Sequence, residues 1–514
     1  MIVLLVAGLQ GCSIAPVRTA VAPVLPVAYP QARPAADSQA RDEAGPIDQW
    51  WRTFDDPVLN ALVEQAQQAN HDVRAAVQRV RQAREGSVQE ASLTTPSIGL
   101  GTDLIDTRSG LPDIAKRGQP DVQGVRVHAD LAWELDVMGG GRAGRAAAAA
   151  DFSRARWGVS GAQLLVSGEV VRQYVTLRTA ERQAQLLQAI HFSRQASEAL
   201  LALRVQEGQA SQLDLDRARN ERESAAADLS LLAARQVACR NALALLLGEA
   251  PGSALAALQP LVPTAPDALA PLPQAAILQQ RAALEDIHAL ATRQTPSAGV
   301  FADPGLPPTG QPASLLQRRP DIQAAGWQAQ SIELRRQQAH ADRYPRFFIN
   351  ALFGGERLNL NSIPFSPARY SSAAAAFSLP ILDGGRRASV EQQAAASRDE
   401  AQMQYEQTVL RAVQEVDSAL AQLNGERARQ QHVTQARDLA LVALRRVQAL
   451  QREGEVDGLG ELDLERAALA AQLSVADGES TRALAAVQLY QALGGGWVAP
   501  AEQPLSVLGR TESR

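Results

Sequence analysis

The chain has 514 residues, room for two or three ordinary domains, but only 4% of it is aromatic and 46% hydrophobic. A formal net charge of −5, with the two signs interspersed, leaves no basic field that would hold nucleic acid. The 28 prolines avoid 121–250 and 381–499 altogether; since proline costs about 3 kcal/mol inside a helix, those spans can be mostly helix while 1–120 and 251–380 cannot.

The chain opens on MIVLLVAGLQGCS, a short apolar run ending Leu9-Gln10-Gly11-Cys12 that resembles a bacterial lipobox. Residues 1–11 are then a signal peptide and Cys12 is the lipidated first residue of the mature chain. Ser13 is not the aspartate that typically retains lipoproteins at the inner membrane. The other cysteine, Cys239, lies on a predicted helix without His or Cys nearby and reads as a small core residue. No run of 18 apolar residues exists, so a membrane could be crossed only by strands in a closed barrel.

Residues 12–49 are Pro-, Ala- and Val-rich and are expected to be extended. Order begins at Trp50-Trp51. Asp56-Pro57 is a helix start, with Asp as N-cap and Pro at the first position, and one helix is expected to continue to about Ser92. Two strands follow at about 97–106 and 124–136, joined by a polar, turn-rich loop. The second alternates strictly: Val125, Val127, Ala129, Leu131, Trp133 and Leu135 face one way, Arg126, His128, Asp130, Ala132, Glu134 and Asp136 the other. Gly139, Gly140 and Gly141 then lead into about 60 helical residues, on the order of 90 Å at 1.5 Å per residue. A break at 208–218 precedes a second helix ending near 248.

Residues 251–313 form a Pro- and Ala-rich crossover with one expected helix at 274–292, and then the plan repeats. Arg319–Ala325 echoes His71–Ala76; strands are expected at 346–355 and 371–382; Leu382-Asp383-Gly384-Gly385-Arg386 stands where Val137–Arg142 stood. Leu462–Ala467 repeats Leu213–Ala218, and Leu493-Gly494 repeats Leu247-Gly248. The offset stays near 245–250 residues, which marks an internal duplication. The domain plan is 50–250 for the first copy, 251–313 for the crossover, 314–499 for the second copy and 500–514 for a tail.

Gly139-x-Gly141-x-x-Gly144 matches a dinucleotide fingerprint, but the strand before it has a fully polar face and the helix after it is far too long for a βαβ unit. The glycines are expected instead to turn a barrel strand into the helix beside it. No histidine falls at metal-ligand spacing, and no nucleophile elbow or paired-carboxylate arrangement is present, so no enzyme activity, cofactor or metal is expected beyond lipid on Cys12.

Taken in order, five motifs resemble the TolC-like outer membrane efflux proteins, specifically the OprM/NodT-like lipoprotein branch that serves RND-type multidrug pumps. They are the lipobox; Trp50-Trp51 with Phe54, Asp56 and Leu59; Trp133–Asp136 before the glycines; Leu315-Leu316 with Arg318–Asp321; and Leu489–Trp497. One departure is Gly326-Trp327, where the family usually has an acidic residue. The resemblance implies a mainly α protein with a membrane β-barrel: a homotrimer in which four strands per chain build a twelve-stranded barrel and the long helices a coiled-coil tunnel. It implies an exit duct in the bacterial outer membrane, working with a periplasmic adaptor (membrane fusion protein) and an inner-membrane transporter. It also places Leu459 and Asp463 at the narrowest ring of the channel. In the barrel, Val127, Leu131 and Trp133 are expected to face lipid, and Arg126, Asp130 and Glu134 the lumen. The rival reading is a lipid-anchored periplasmic adaptor or coiled-coil scaffold, which would lack the four strands.

Overall fold

A computed structural model describes residues 20–31, 47–108, 110, 121–253, 312–360, 363–364 and 367–495. Cys12, the 274–292 helix, most of both strand-connecting loops, and Gly496-Trp497 lie outside the described residues. After residues 20–31, a 3₁₀ segment, Ile47–Phe54, is followed by α1 (Pro57–Ala69), α2 (His71–Ser92), β1 (Ser97–Thr107), β2 (Val122–Leu135), α3 (Gly140–Gln206) and α4 (Gln212–Leu246). The second half runs through α5 (Leu315–Arg318), α6 (Pro320–Ala341), β3 (Arg346–Leu360), β4 (Ile363–Pro364), β5 (Ala368–Ser378), α7 (Arg386–Arg452) and α8 (Gly458–Ala492).

The duplication is explicit in the helix lengths. Helices α2 and α6 both have 22 residues, α3 and α7 both 67, and α4 and α8 both 35. Their starts are offset by 249 (320 − 71), 246 (386 − 140) and 246 (458 − 212) residues.

Besides β3, which runs to Leu360 rather than ending at 355, two expectations need correction. The single helix expected from Pro57 to Ser92 is broken at Asn70, whose backbone is extended (φ −60°, ψ 134°). Its side-chain oxygen accepts from the amides of Asp72 and Val73, capping α2, while its amide donates to the Leu246 carbonyl at 3.0 Å. Secondly, the last strand stops at Ser378 rather than 382. Pro380 has no N–H to give to a ladder, so the pairing cannot run on to 382.

The chain forms two compact units, each assembled from both halves of the sequence. The first takes 77–158 and 321–408 and contains the sheet. Its long strands pair in the order β1-β2-β3-β5, all antiparallel, with β4 on the tip of β3. Strand β1 pairs only with β2 and β5 only with β3, so among the described residues each leaves one edge open. Beside the sheet, Ala147 and Ala150 of α3 pack on Leu334 and Trp327 of α6. Gly326 lies against Tyr405, and a Cβ there would meet the ring at 3.6 Å. The departure at Gly326-Trp327 is thus apolar packing.

The second unit is built from the described parts of 24–76, 159–320 and 409–514. Its main core gathers Trp50, Phe54, Leu59, Leu62, Val170, Tyr174, Leu243 and Tyr490. Trp50 stacks on Tyr490 at 5.3 Å and meets Trp51 edge-on at 6.0 Å. Asp56 caps α1 as expected, accepting from Val58 N at 2.8 Å and Leu59 N at 3.2 Å, and it also receives the Tyr174 hydroxyl at 2.6 Å. Burial, reinforced by that carboxylate, pushes the tyrosine up to about 12.

Helix α4 is long and apolar enough to cross a membrane, which the absence of an 18-residue apolar run had not suggested. Its packing places it in the helical unit instead: Gln236 donates to the Ala180 carbonyl, and Arg240 pairs at 2.7 Å with the buried Glu181 of α3. The Cys239 thiol is buried in the same core, which raises its pKa.

Candidate functional site

The pairing register sorts the strand residues onto two faces. On one, Val127 lies opposite Thr102 and Gly355, Leu131 opposite Ile98 and Ala351, and Trp133 opposite Ile349. This face carries bare hydrocarbon: Ile98, Leu100, Leu104, Phe353 and Phe377 are 64–82% exposed. Trp133 is tied at one end, its indole N–H donating to the Thr94 carbonyl at 3.2 Å. A soluble protein would not leave such a patch open.

The other face is polar and forms charge pairs across strands. Arg126 pairs with Glu356 at 3.1 Å and lies 5.4 Å over the Tyr370 ring; His128 approaches Asp103 at 3.6 Å; Arg346 donates to Glu134 at 2.7 Å. Two glycines make room for this set. A Cβ at Gly99 would sit 2.6 Å from an Asp130 oxygen, and one at Gly101 would sit 2.6 Å from His128 Nε2. None of these pairs is visible before the register is known.

At the end of β2, the chain turns into α3 through Gly139, Gly140 and Gly141. Only Gly139 needs a left-handed backbone (φ 79°); Gly141 is required by space, because a Cβ would lie 2.5 Å from Thr94 Cγ2. What closes the joint is a residue that sequence reasoning left on the strand. Asp136 accepts from Gly141 N at 3.0 Å and from Arg142 N at 2.7 Å, capping the first turn of α3. Asp383 does the same at the second joint, accepting from Gly385 N at 3.0 Å and Arg387 N at 3.2 Å, and there Gly384 and Gly385 both have positive φ. The capping aspartates Asp136 and Asp383 are therefore counterparts, although Asp136 directly follows β2 whereas Asp383 stands five residues past the end of β5.

Leu459 and Asp463 fall one turn apart at the start of α8. Leu459 is half-buried, while Asp463 is exposed and ion-paired with Arg466. Asp463 has no capping role, for the N-cap is Asp457, which accepts from Gly460 N at 2.9 Å and pairs with Arg204 at 3.0 Å. At the matching start of α4 the cap is Ser211, accepting from Asp214 N, while its hydroxyl donates to the Asp214 carboxylate at 2.6 Å. Further ties join α8 to α3: Arg466 donates to Ser197 at 2.6 Å, and Ser193 donates to Glu465 at 3.3 Å. Glu465 is fully buried, and desolvation pushes its carboxyl up to about 7. Among the described residues no group of three or more His, Cys, Asp or Glu could hold a metal ion.

The sheet thus has a hydrocarbon face, a polar face paired across strands and two edges open among the described residues, and it joins duplicated 67-residue helices. The family profile described as "Outer membrane efflux protein" matches residues 62–249 and 312–495. The chain belongs to that family. It is an outer membrane channel serving bacterial efflux pumps, and not an enzyme. This efflux protein is 26% identical over 468 residues to "Pyoverdine export outer membrane protein OpmQ" of Pseudomonas putida, covering 90% of each chain. It is 24% identical over 452 residues to "Probable outer membrane lipoprotein SilC" of Salmonella typhimurium, covering 87% of this chain and 88% of that one. Among solved structures it is similar to the outer-membrane channel OprN, with a TM-score of 0.69 and 27% identity over 93% of this chain and 99% of that one. The adaptor or scaffold reading is thereby set aside.

Proposed function

We propose that three copies of this efflux protein close a twelve-stranded barrel and conduct small molecules or drugs passively outward, docked to a periplasmic adaptor and an inner-membrane transporter. The observation that carries this is the pair of open edges on β1 and β5 beside an exposed apolar face. Unpaired backbone groups cannot stay in lipid, and four strands cannot close a barrel alone. Strands β1 and β5 run antiparallel, so the β5 edge of one copy can accept the β1 edge of the next. The polar face then lines the lumen and the hydrocarbon face meets lipid. Cys12 is the acylated anchor, supported by the lipobox and by the likeness to a protein named as a probable lipoprotein. Leu459 and Asp463 form the periplasmic constriction.

The deciding experiment is gel migration of detergent-extracted protein with and without boiling, with mass spectrometry of the mature N-terminal peptide on the same preparation. The expected result is a heat-sensitive band at three times the chain mass and an acylated Cys12. A monomer under both conditions overturns the shared barrel, and an unmodified Cys12 overturns the anchor.

A further inference from the structure

We propose that Glu465 is a proton-binding site that latches α8 to α3 beside the constriction: protonated, it holds the tip closed, and loss of the proton lets α8 leave α3. The inference rests on reading Leu459 and Asp463 as that constriction.

The geometry is specific to the second copy of the repeat. Glu465 and Asp216 occupy the same place in the two Leu-Asp-Leu-acid-Arg-Ala motifs. Asp216 is exposed and pairs with Arg219 at 3.4 Å, whereas Glu465 is 0% exposed. The helical pattern alone therefore does not bury this position; contact with α3 does. On the α3 side Ser193 donates to the carboxyl. The charged groups of α3 nearby are engaged elsewhere: Arg194 donates to the Glu221 carbonyl, Glu198 pairs with Arg219 and Arg222, and the buried His191 feels chiefly burial and Arg222. On the α7 side, Leu441, Leu444 and Val447 fill the adjoining core, and Arg445 and Arg446 are exposed. Within α8, Glu461 opposes ionisation of Glu465 and Arg466 favours it, but Arg466 is already held by Ser197 and Asp463.

Desolvation is the largest influence on the carboxyl, followed by the Ser193 hydrogen bond, and it holds the proton until about pH 7. Once α8 moves away and water reaches it, the group returns to an ordinary carboxylate value of about 4.3. The packed state thus binds more protons than the open one between those limits. Its stability is complete at acid pH and is lost as pH rises through 7. The open-to-packed ratio should grow by up to about tenfold per pH unit across that window.

Single-channel recording in planar bilayers from pH 5 to 8 tests this. The wild-type channel should spend more time open as pH rises, while Glu465→Gln, neutral and of the same size, should lose that step and stay closed. Asp463→Asn should keep the step, since its carboxylate is exposed. A Glu465→Gln channel that retains the wild-type step, or an Asp463→Asn channel that alone loses it, overturns the latch. A second measurement uses the wild-type channel only: amide hydrogen exchange across 461–469, corrected for intrinsic rates, should show less protection at pH 7.5 than at pH 5.5. Equal protection also overturns it. Failure of the constriction reading would show separately, as unchanged conductance when Leu459 and Asp463 are removed.

Discussion

Asp56, Asp136 and Asp383 carry more of the fold than their surface-like composition suggests, because each accepts from two backbone amides at the start of a helix or just before it. Asp56 does so inside the aromatic core and also holds the Tyr174 hydroxyl, on a side chain only 1% exposed. Asp56→Ala removes the cap, worth about 0.5–2 kcal/mol, and strands a buried hydroxyl, worth about 1–3 kcal/mol. Asp56→Asn keeps an accepting oxygen for the amides and should lose much less. Thermal unfolding of the purified protein should rank wild type above Asn above Ala; coincident melting of all three would remove this account. The same burial sets a pH limit. With Tyr174 raised from 10.0 to about 12, the stability it contributes is complete below pH 10 and is lost as pH climbs toward 12.

A single strand makes the sharpest test of how the elements divide lipid from lumen. Leu131 lies between Ile98 and Ala351 on the hydrocarbon face, while Asp130 fills the space that Gly99 leaves on the polar face. A cation on the lipid side near the midplane costs about 2–4 kcal/mol, and lumen changes cost little. Leu131→Arg should therefore lower assembled-barrel yield sharply and Asp130→Ala should not; equal yields on an unboiled gel would reverse the face assignment. Much of this element plan was legible beforehand. Two-residue alternation located β2, and proline exclusion located the long helices, because both signals are local. What was missed needs a third dimension. Asn70 interrupts a sequence that stays helical in pattern on both sides, and its reason for doing so is the Leu246 carbonyl, 176 residues away. Asp136 continues the alternation of β2 by one step and so reads as a wet-face strand residue, when in fact it has left the ladder to cap α3. The Arg126–Glu356 and Arg346–Glu134 pairs depend on a register that no local pattern fixes.

At the scale of the whole assembly, a duct that stayed open would leak, so the closed state needs a ring that is narrow and yet easy to open. In the proposed trimer, three copies of Asp463 meet near the threefold axis, with three copies of Leu459 one turn away. Each Asp463 is paired with Arg466 of its own chain, but the carboxylate side chain is 68% exposed. Exposed pairs of this kind contribute about 0–1 kcal/mol, too little to cancel the mutual repulsion of three carboxylates brought together. That repulsion favours opening and attracts cations, while apolar contact among the leucines favours closure. In that proposed ring the two residues would oppose one another, and the constriction would be held by a small margin. Because salt screens exposed charges over about 8 Å at physiological ionic strength, raising it should favour the closed ring. Replacing both residues, Leu459→Ala with Asp463→Ala, should widen the resting pore and weaken its cation preference while leaving trimer yield unchanged, since neither side chain caps α8 or lies fully in its core. Single-channel conductance and reversal potential in planar bilayers measure both effects. If conductance and cation preference match the wild type, the narrowest ring lies elsewhere on the helices.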